Sequence, residues 1–170
     1  MKYELTAEQI GENWDNFLNI IKKDFPTRSE ALLEFYNLYE DRLILLPASS
    51  KNFHHNCIPG GYIDHILRVR ECALKLYDMW KEMGADMSTY TKEELSFVAL
   101  HHDLGKFGTL DEESYVPNDS QWHVENQGAI YKINNKMGYM SVPDRGLFLI
   151  QDIGIPLSLN EWLGIKIHDG

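Results

Sequence analysis

Seven histidines are spread along the chain, and their placement relative to the helices is informative. His65 falls one turn into a long apolar-periodic segment. His101-His102-Asp103 closes the next, His123 begins another, and His168 closes the last. Helix ends that point into a common centre are where a bundle assembles a metal site from facing side chains. Imidazole nitrogen with carboxylate oxygen suits divalent Mn, Fe, Co, Ni or Zn, and geometry decides among them. Neighbours on a helix project about 100° apart, so an adjacent His and Asp serve one ion only at a last turn, where both can reach it. By this placement His65, His102 and Asp103 are candidate ligands, against the alternative of unrelated helix-end histidines, and His123 and His168 are further candidates, against that of exposed histidines. His101 points away from Asp103 on the same turn and reads as structural. Lys106 is placed to meet a phosphate oxygen as a point charge, against the alternative of a solvated lysine. Arg68, one turn after His65 on nearly the same face, could hold an anionic group, against the alternative of a surface ion pair.

The elements that must position these residues read as helices. The pattern Ser/Thr-x-x-Glu/Gln marks a helix start, because hydroxyl and carboxylate or amide each satisfy an orphan backbone N–H. It occurs at Thr6–Gln9, Thr27–Glu30, Thr91–Glu94 and Ser158–Glu161. The first opens a helix that ends before Pro26, and the second opens one running to about Leu46. Residues 47–60 carry Pro, Ser, Asn and Gly without apolar period and form a loop ending in Pro59-Gly60-Gly61. A long helix comes next, from Tyr62 to about Met83, then one from Thr91 to Gly105. Residues 106–120 are loop, and further helices are expected over Gln121–Met137, Pro143–Gln151 and from Ser158 onward. Trp14, Phe17, Phe35, Tyr36, Trp80 and Trp162 are the expected aromatic core. No segment alternates with period 2 for long enough to predict a sheet. The fold class is all-α, an irregular bundle of about seven helices.

A chain of 170 residues can bury a core without staples and is the size of one domain. We divide it into a helical cap over 1–50, packed on a metal-binding region over 51–170. No apolar run approaches the roughly 18 residues a membrane span needs, and no leader-like N-terminus is seen, so no membrane is expected. Two cysteines, Cys57 and Cys72, form no CxxC pair, which suits the reducing cytoplasm. With 26 acidic and 16 basic residues the formal charge is −10, which disfavours long nucleic acid as a partner. Anionic small molecules stay open, because a bound cation supplies the charge the surface lacks.

The tract Ala99-Leu-His-His-Asp-Leu-Gly-Lys106 orders an apolar helix, ligands, a glycine that frees the backbone, and a lysine. It resembles the signature of the HD superfamily of metal-dependent phosphohydrolases. Gly60-Gly61-Tyr-Ile-Asp-His65 is similar to the helix carrying that family's first histidine. Phe53-His54-His55 with Pro59-Gly60-Gly61 resembles the branch that includes 3′–5′ exoribonucleases. One of these two histidines, with His55 favoured, is expected to reach the site as a substrate contact, against the alternative of a solvated loop histidine. His123-Val-Glu-Asn-Gln-Gly128, and Ser158 through His168-Asp169-Gly170, resemble the extra-histidine segments of two-metal members. Together the matches cover residues 53–170. The family closes its first site with a later aspartate; Asp152 and Asp169 are the substitutes here, or the domain lacks its final helix.

The resemblance implies hydrolysis of a phosphate ester on a small nucleotide or nucleotide-like substrate, with two divalent ions. Metal at His65, His102 and Asp103 would acidify a water, and a second ion at His123 and His168 would clamp other phosphate oxygens. Asp103 would orient the water and Lys106 would steady charge on the phosphoryl group. The rival readings are a 3′–5′ exoribonuclease, an HD-type di-iron oxygenase, and a degenerate HD module that binds a nucleotide.

Overall fold

The structure is a computed structural model and describes residues 4–169; Gly170, the end of the last matched segment, lies outside them. It is mostly helical, as the patterning predicts: α1 (Ala7–Asp24), α2 (Ser29–Leu38), α3 (Glu40–Leu43), α4 (Gly61–Glu82), α5 (Lys92–His101), α6 (Gln121–Gln127), α7 (Val142–Asp152) and α8 (Leu159–Ile167). A 3-10 turn over Leu104–Phe107 continues α5. No helix of the described residues is long and apolar enough to cross a membrane.

Three of the expected start signals are built as reciprocal caps. Thr6 Oγ1 accepts from Gln9 N at 3.2 Å while Gln9 Oε1 accepts from Thr6 N at 2.9 Å. Thr91 with Glu94 and Ser158 with Glu161 do the same for α5 and α8. Thr27 does not: α2 starts two residues later behind Arg28, which makes no side-chain cap. Pro26 starts a turn in which Arg28 N donates to Phe25 O at 2.9 Å, and this carries the chain past the Thr27 position before a helix can begin.

Two expectations give way in the middle of the chain. The helix predicted over Gln121–Met137 ends at Gln127, because Gly128 takes a left-handed φ of 57° and turns the backbone. The chain then returns as β2 (Tyr131–Ile133), paired antiparallel with β1 (Tyr115–Pro117), which lies in the segment predicted as loop. Each strand is three residues long, too short for a period-2 signal to show above noise.

One apolar cluster runs through the molecule, from Trp14, Phe17 and Ile21 of α1 through Phe35 of α2 and Ile66 of α4 to Phe97 of α5, Ile150 of α7 and Ile165 of α8. Two expected core aromatics lie outside it: Trp80 is 57 % and Trp162 43 % exposed. None of residues 71–82 of α4 is buried, so the periodicity that predicts Trp80 as core continues past the last neighbour able to cover it.

Glycines set the close approaches that hold the site. Gly105 does not adopt a left-handed φ, so it is not there to free the backbone. A Cβ on it would stand 2.0 Å from Val142 O, and its absence lets the start of α7 lie against the 3-10 turn. Gly61 is similar, since a Cβ there would stand 2.1 Å from Asn56 O, where the 47–60 loop folds over the start of α4.

Candidate metal centre

Three ligand atoms form a triangle where α4 meets the end of α5. His65 Nε2 lies 3.3 Å from His102 Nε2, and each lies 3.3 Å from Asp103 Oδ2. In a tetrahedral site with metal–nitrogen bonds of about 2.0–2.1 Å, ligand atoms stand roughly 3.3–3.4 Å apart. The triangle therefore already has the edge length of a coordinated set. The tautomers agree with this use. His102 Nδ1 faces Ala99 O at 2.9 Å, so its N–H donates there and leaves the Nε2 lone pair aimed into the triangle. Lone pairs facing a carboxylate at this range repel unless a cation lies among them.

His168, at the end of α8, repeats the arrangement. Its Nδ1 sits 2.7 Å from Ile165 O, and its Nε2 is buried, has no hydrogen-bond partner, and points at Asp103 Oδ1 from 3.6 Å. A buried ring nitrogen beside a carboxylate, with no hydrogen-bond partner among the described residues, fits a ligand position that a divalent ion would complete. Asp103 itself is 4 % exposed. Burial works to raise its pKa, but His102, His168, His65 and Lys106 outweigh that and hold the carboxyl well below the usual carboxylate range. The same carboxylate raises His168 above the ordinary histidine value. Lys106 Nζ lies 2.6 Å from Asp103 Oδ2, a charge-assisted contact, and Lys106 also borders a cavity.

His55 joins from the 47–60 loop. Its ring lies 4.4 Å, centroid to centroid, from that of His65, and His55, His65 and Asp103 offer ligand atoms all within 4.8 Å of one another. The sequence places His55 with the substrate, whereas the structure puts it among the possible ligands. The loop is stapled to deliver it: Ser49 Oγ donates to His55 O at 2.8 Å, and Asn56, at a left-handed φ of 49°, donates to Asp64 Oδ2 at 2.6 Å and to Gly61 O at 3.2 Å. Asn tolerates that backbone region better than most residues. Burial, then the positive fields of His65 and Lys106, pull the pKa of His55 below its usual value, favouring the neutral form that ligates.

Other expected site residues are not brought here. His123 is exposed on α6, its Nδ1 2.6 Å from Ser120 Oγ and its ring against Trp122, and among the described residues no contact ties it to the cluster. α6 has no buried residue, so this short helix holds His123 at the surface. Arg68 Nε lies 3.1 Å from Asp64 Oδ2 and borders a surface groove between α1 and α4, the ion-pair alternative of its sequence reading. His101 is structural: fully buried, stacked 4.0 Å from Phe97, Nδ1 on Phe97 O, and held neutral by burial with a pKa pulled down to about 3. Asp152 and Asp169 are both exposed, and neither joins the cluster; Asp169 borders the cavity beside Lys106.

That cavity, of about 440 Å³, lies between the 3-10 turn, β1, the 133–142 segment and α7. Two residues it exposes have no counterpart in the sequence reading. Tyr115 feels the Asp103 charge from β1, and burial pushes its hydroxyl up to about 12. Arg145 of α7 borders the same space and is 7 % exposed. Neither has a sequence signal, since one lies on a three-residue strand and the other inside an apolar helix. A larger groove of about 750 Å³ between α2, α5 and α8 is lined by Arg28 and five glutamates and carries no histidine. No family model, curated protein or solved structure matches this chain.

Proposed function

We propose that this chain is a metal-dependent phosphohydrolase of the HD type, acting on a phosphate ester of a small nucleotide or nucleotide-like substrate. The observation that carries the reading is the 3.3 Å triangle of His65 Nε2, His102 Nε2 and Asp103 Oδ2, with His168 and His55 at its edges. A divalent ion held there supplies Lewis acidity toward a phosphoryl oxygen and lowers the pKa of a water. The chain's own residues do the rest. His102 and His168 keep their Nε2 lone pairs inward by donating from Nδ1 to backbone carbonyls. Asp103 holds the centre's negative charge and orients a water against it. Lys106 touches that carboxylate and borders the cavity, where its ammonium steadies charge gathering on the phosphoryl group.

The two-ion version draws on His123 for its second ion, and with His123 apart it has less behind it, as does the di-iron oxygenase reading. Against a 3′–5′ exoribonuclease stands the net charge of −10, and against a degenerate nucleotide-binding module stands the number of converging ligands. The test is a panel of nucleotides assayed with manganese, cobalt or nickel, alongside metal analysis. We expect hydrolysis that disappears in the double variant His102→Ala, Asp103→Ala; activity that survives it, or no metal uptake by the parent protein, overturns the reading.

A further inference from the structure

Arg145 is buried without a counter-ion. Its Nη1 donates to Ser114 Oγ at 3.3 Å and its Nη2 to Gly138 O at 3.1 Å, both neutral acceptors, and among the described residues no carboxylate pairs with it. Its chain neighbour Asp144 is taken up by Ser141 and Lys166. The other arginines of the interior are accounted for differently. Arg28 pairs with Glu161, Arg70 with Asp24, and Arg42 lies over the Phe107 ring. A buried cation left uncompensated is costly, and the usual remedies are a partner anion or a ligand that brings one.

Arg145 borders the cavity of about 440 Å³ that also exposes Lys106, the lysine tied to Asp103. Two cations thus face one space next to the candidate metal centre. The rest of the wall is largely apolar, with Tyr115, Ile133, Met137 and Met140. Asp169, exposed, is the one carboxylate along it among the described residues. The volume falls within the roughly 300–1,000 Å³ of small-molecule sites and is far too small for a polymer.

We propose that this cavity is the substrate pocket, that Arg145 grips the phosphoryl oxygens of a small ring-bearing phosphomonoester, and that the ring lies against Tyr115 and Met140. A guanidinium offers several N–H donors in a plane and matches a phosphate's oxygens. The proposal rests on the hydrolase reading for the identity of the anion as a phosphoryl group, and the charge and shape of the pocket deepen that reading to a substrate class.

The test measures binding, so it stands apart from the hydrolysis assay. Phenylphosphonate, which has no ester bond to cleave, is titrated calorimetrically into the protein as purified, with phenol as the uncharged control. We expect phenylphosphonate to bind at least about tenfold more tightly than phenol, Arg145→Met to lose at least about tenfold, and Arg145→Lys to keep part of the difference. A second variant guards against misfolding. Gly138 has open space where a Cβ would stand, and its carbonyl accepts from Arg145, so Gly138→Asp sets a carboxylate beside the guanidinium without disturbing the core. It too should lose phenylphosphonate binding. Phenylphosphonate that binds no better than phenol, or equally well to the parent and to either folded variant, overturns the proposal. Arg145-dependent binding that persists in His102→Ala upholds it even if no hydrolysis is found.

Discussion

His168 Nε2 stands 3.6 Å from Asp103 Oδ1, buried and without a hydrogen-bond partner among the described residues, while the other oxygen of the same carboxylate faces His65, His102 and Lys106. Asp103 therefore joins partners from the middle of the chain, on α4 and at the end of α5, to one from the end of α8. α8 must dock against α5 for this to happen, so the completeness of the centre depends on the last helix.

This relationship separates two histidines that look alike in sequence. His168→Ala is expected to weaken binding of a divalent ion by at least roughly tenfold, whereas His123→Ala leaves it within about a factor of two of the parent. Titration of manganese or zinc into the stripped variants measures both. An equal loss in the two would mean that His123 reaches the centre after all.

The centre's backbone support is testable through glycine. Gly105→Ala forces a methyl group to within 2.0 Å of Val142 O and is expected to destabilise by about 2–3 kcal/mol, since the 3-10 turn and α7 must separate. Gly11→Ala, in α1 with nothing near its Cβ position, should stabilise by about 0.5–1 kcal/mol through lower unfolded-state entropy. Urea melts of the two variants should shift in opposite directions.

Asn56 couples the His55 loop to α4 in two ways that substitution can separate. Asn56→Gly keeps the left-handed backbone but loses the bond to Asp64, while Asn56→Ala loses both. Thermal melts should show Asn56→Ala as the less stable, by about 1 kcal/mol. Metal affinity should fall in both variants if the loop's position is what brings His55 to the cluster, and an unchanged affinity would remove His55 from the ligand set.

Arg28 donates from Nη1 and Nη2 to the two carboxylate oxygens of Glu161, at 2.9 and 2.8 Å, and Glu161 is 2 % exposed. Arg28→Met strands that carboxylate and is expected to cost about 3–5 kcal/mol, most of which Arg28→Met with Glu161→Met recovers. Denaturant titration of the two variants decides this, and equal losses would mean that the pair is not energetically coupled.

Local interactions are readable along the chain. The boxes at Thr6, Thr91 and Ser158 involve residues three apart, so three helix starts are written in short spans, as are the helical class of the fold and the pairing of His102 with Asp103 at a last turn. His65 can be joined to them because the helical period places it one turn into α4.

The rest depends on packing between distant segments. That the His55 ring lies against His65, that His168 rather than His123 meets Asp103, that Gly105 is a close-packing glycine and that Arg145 has no counter-ion among the described residues are all set by which elements dock where. The sequence pattern overextends α6 because a single left-handed residue, Gly128, outweighs the helical preference of residues 129–137. Chain-local free energies decide where a helix starts. Only the tertiary arrangement decides which side chains, far apart in sequence, come to share one ion or one cavity.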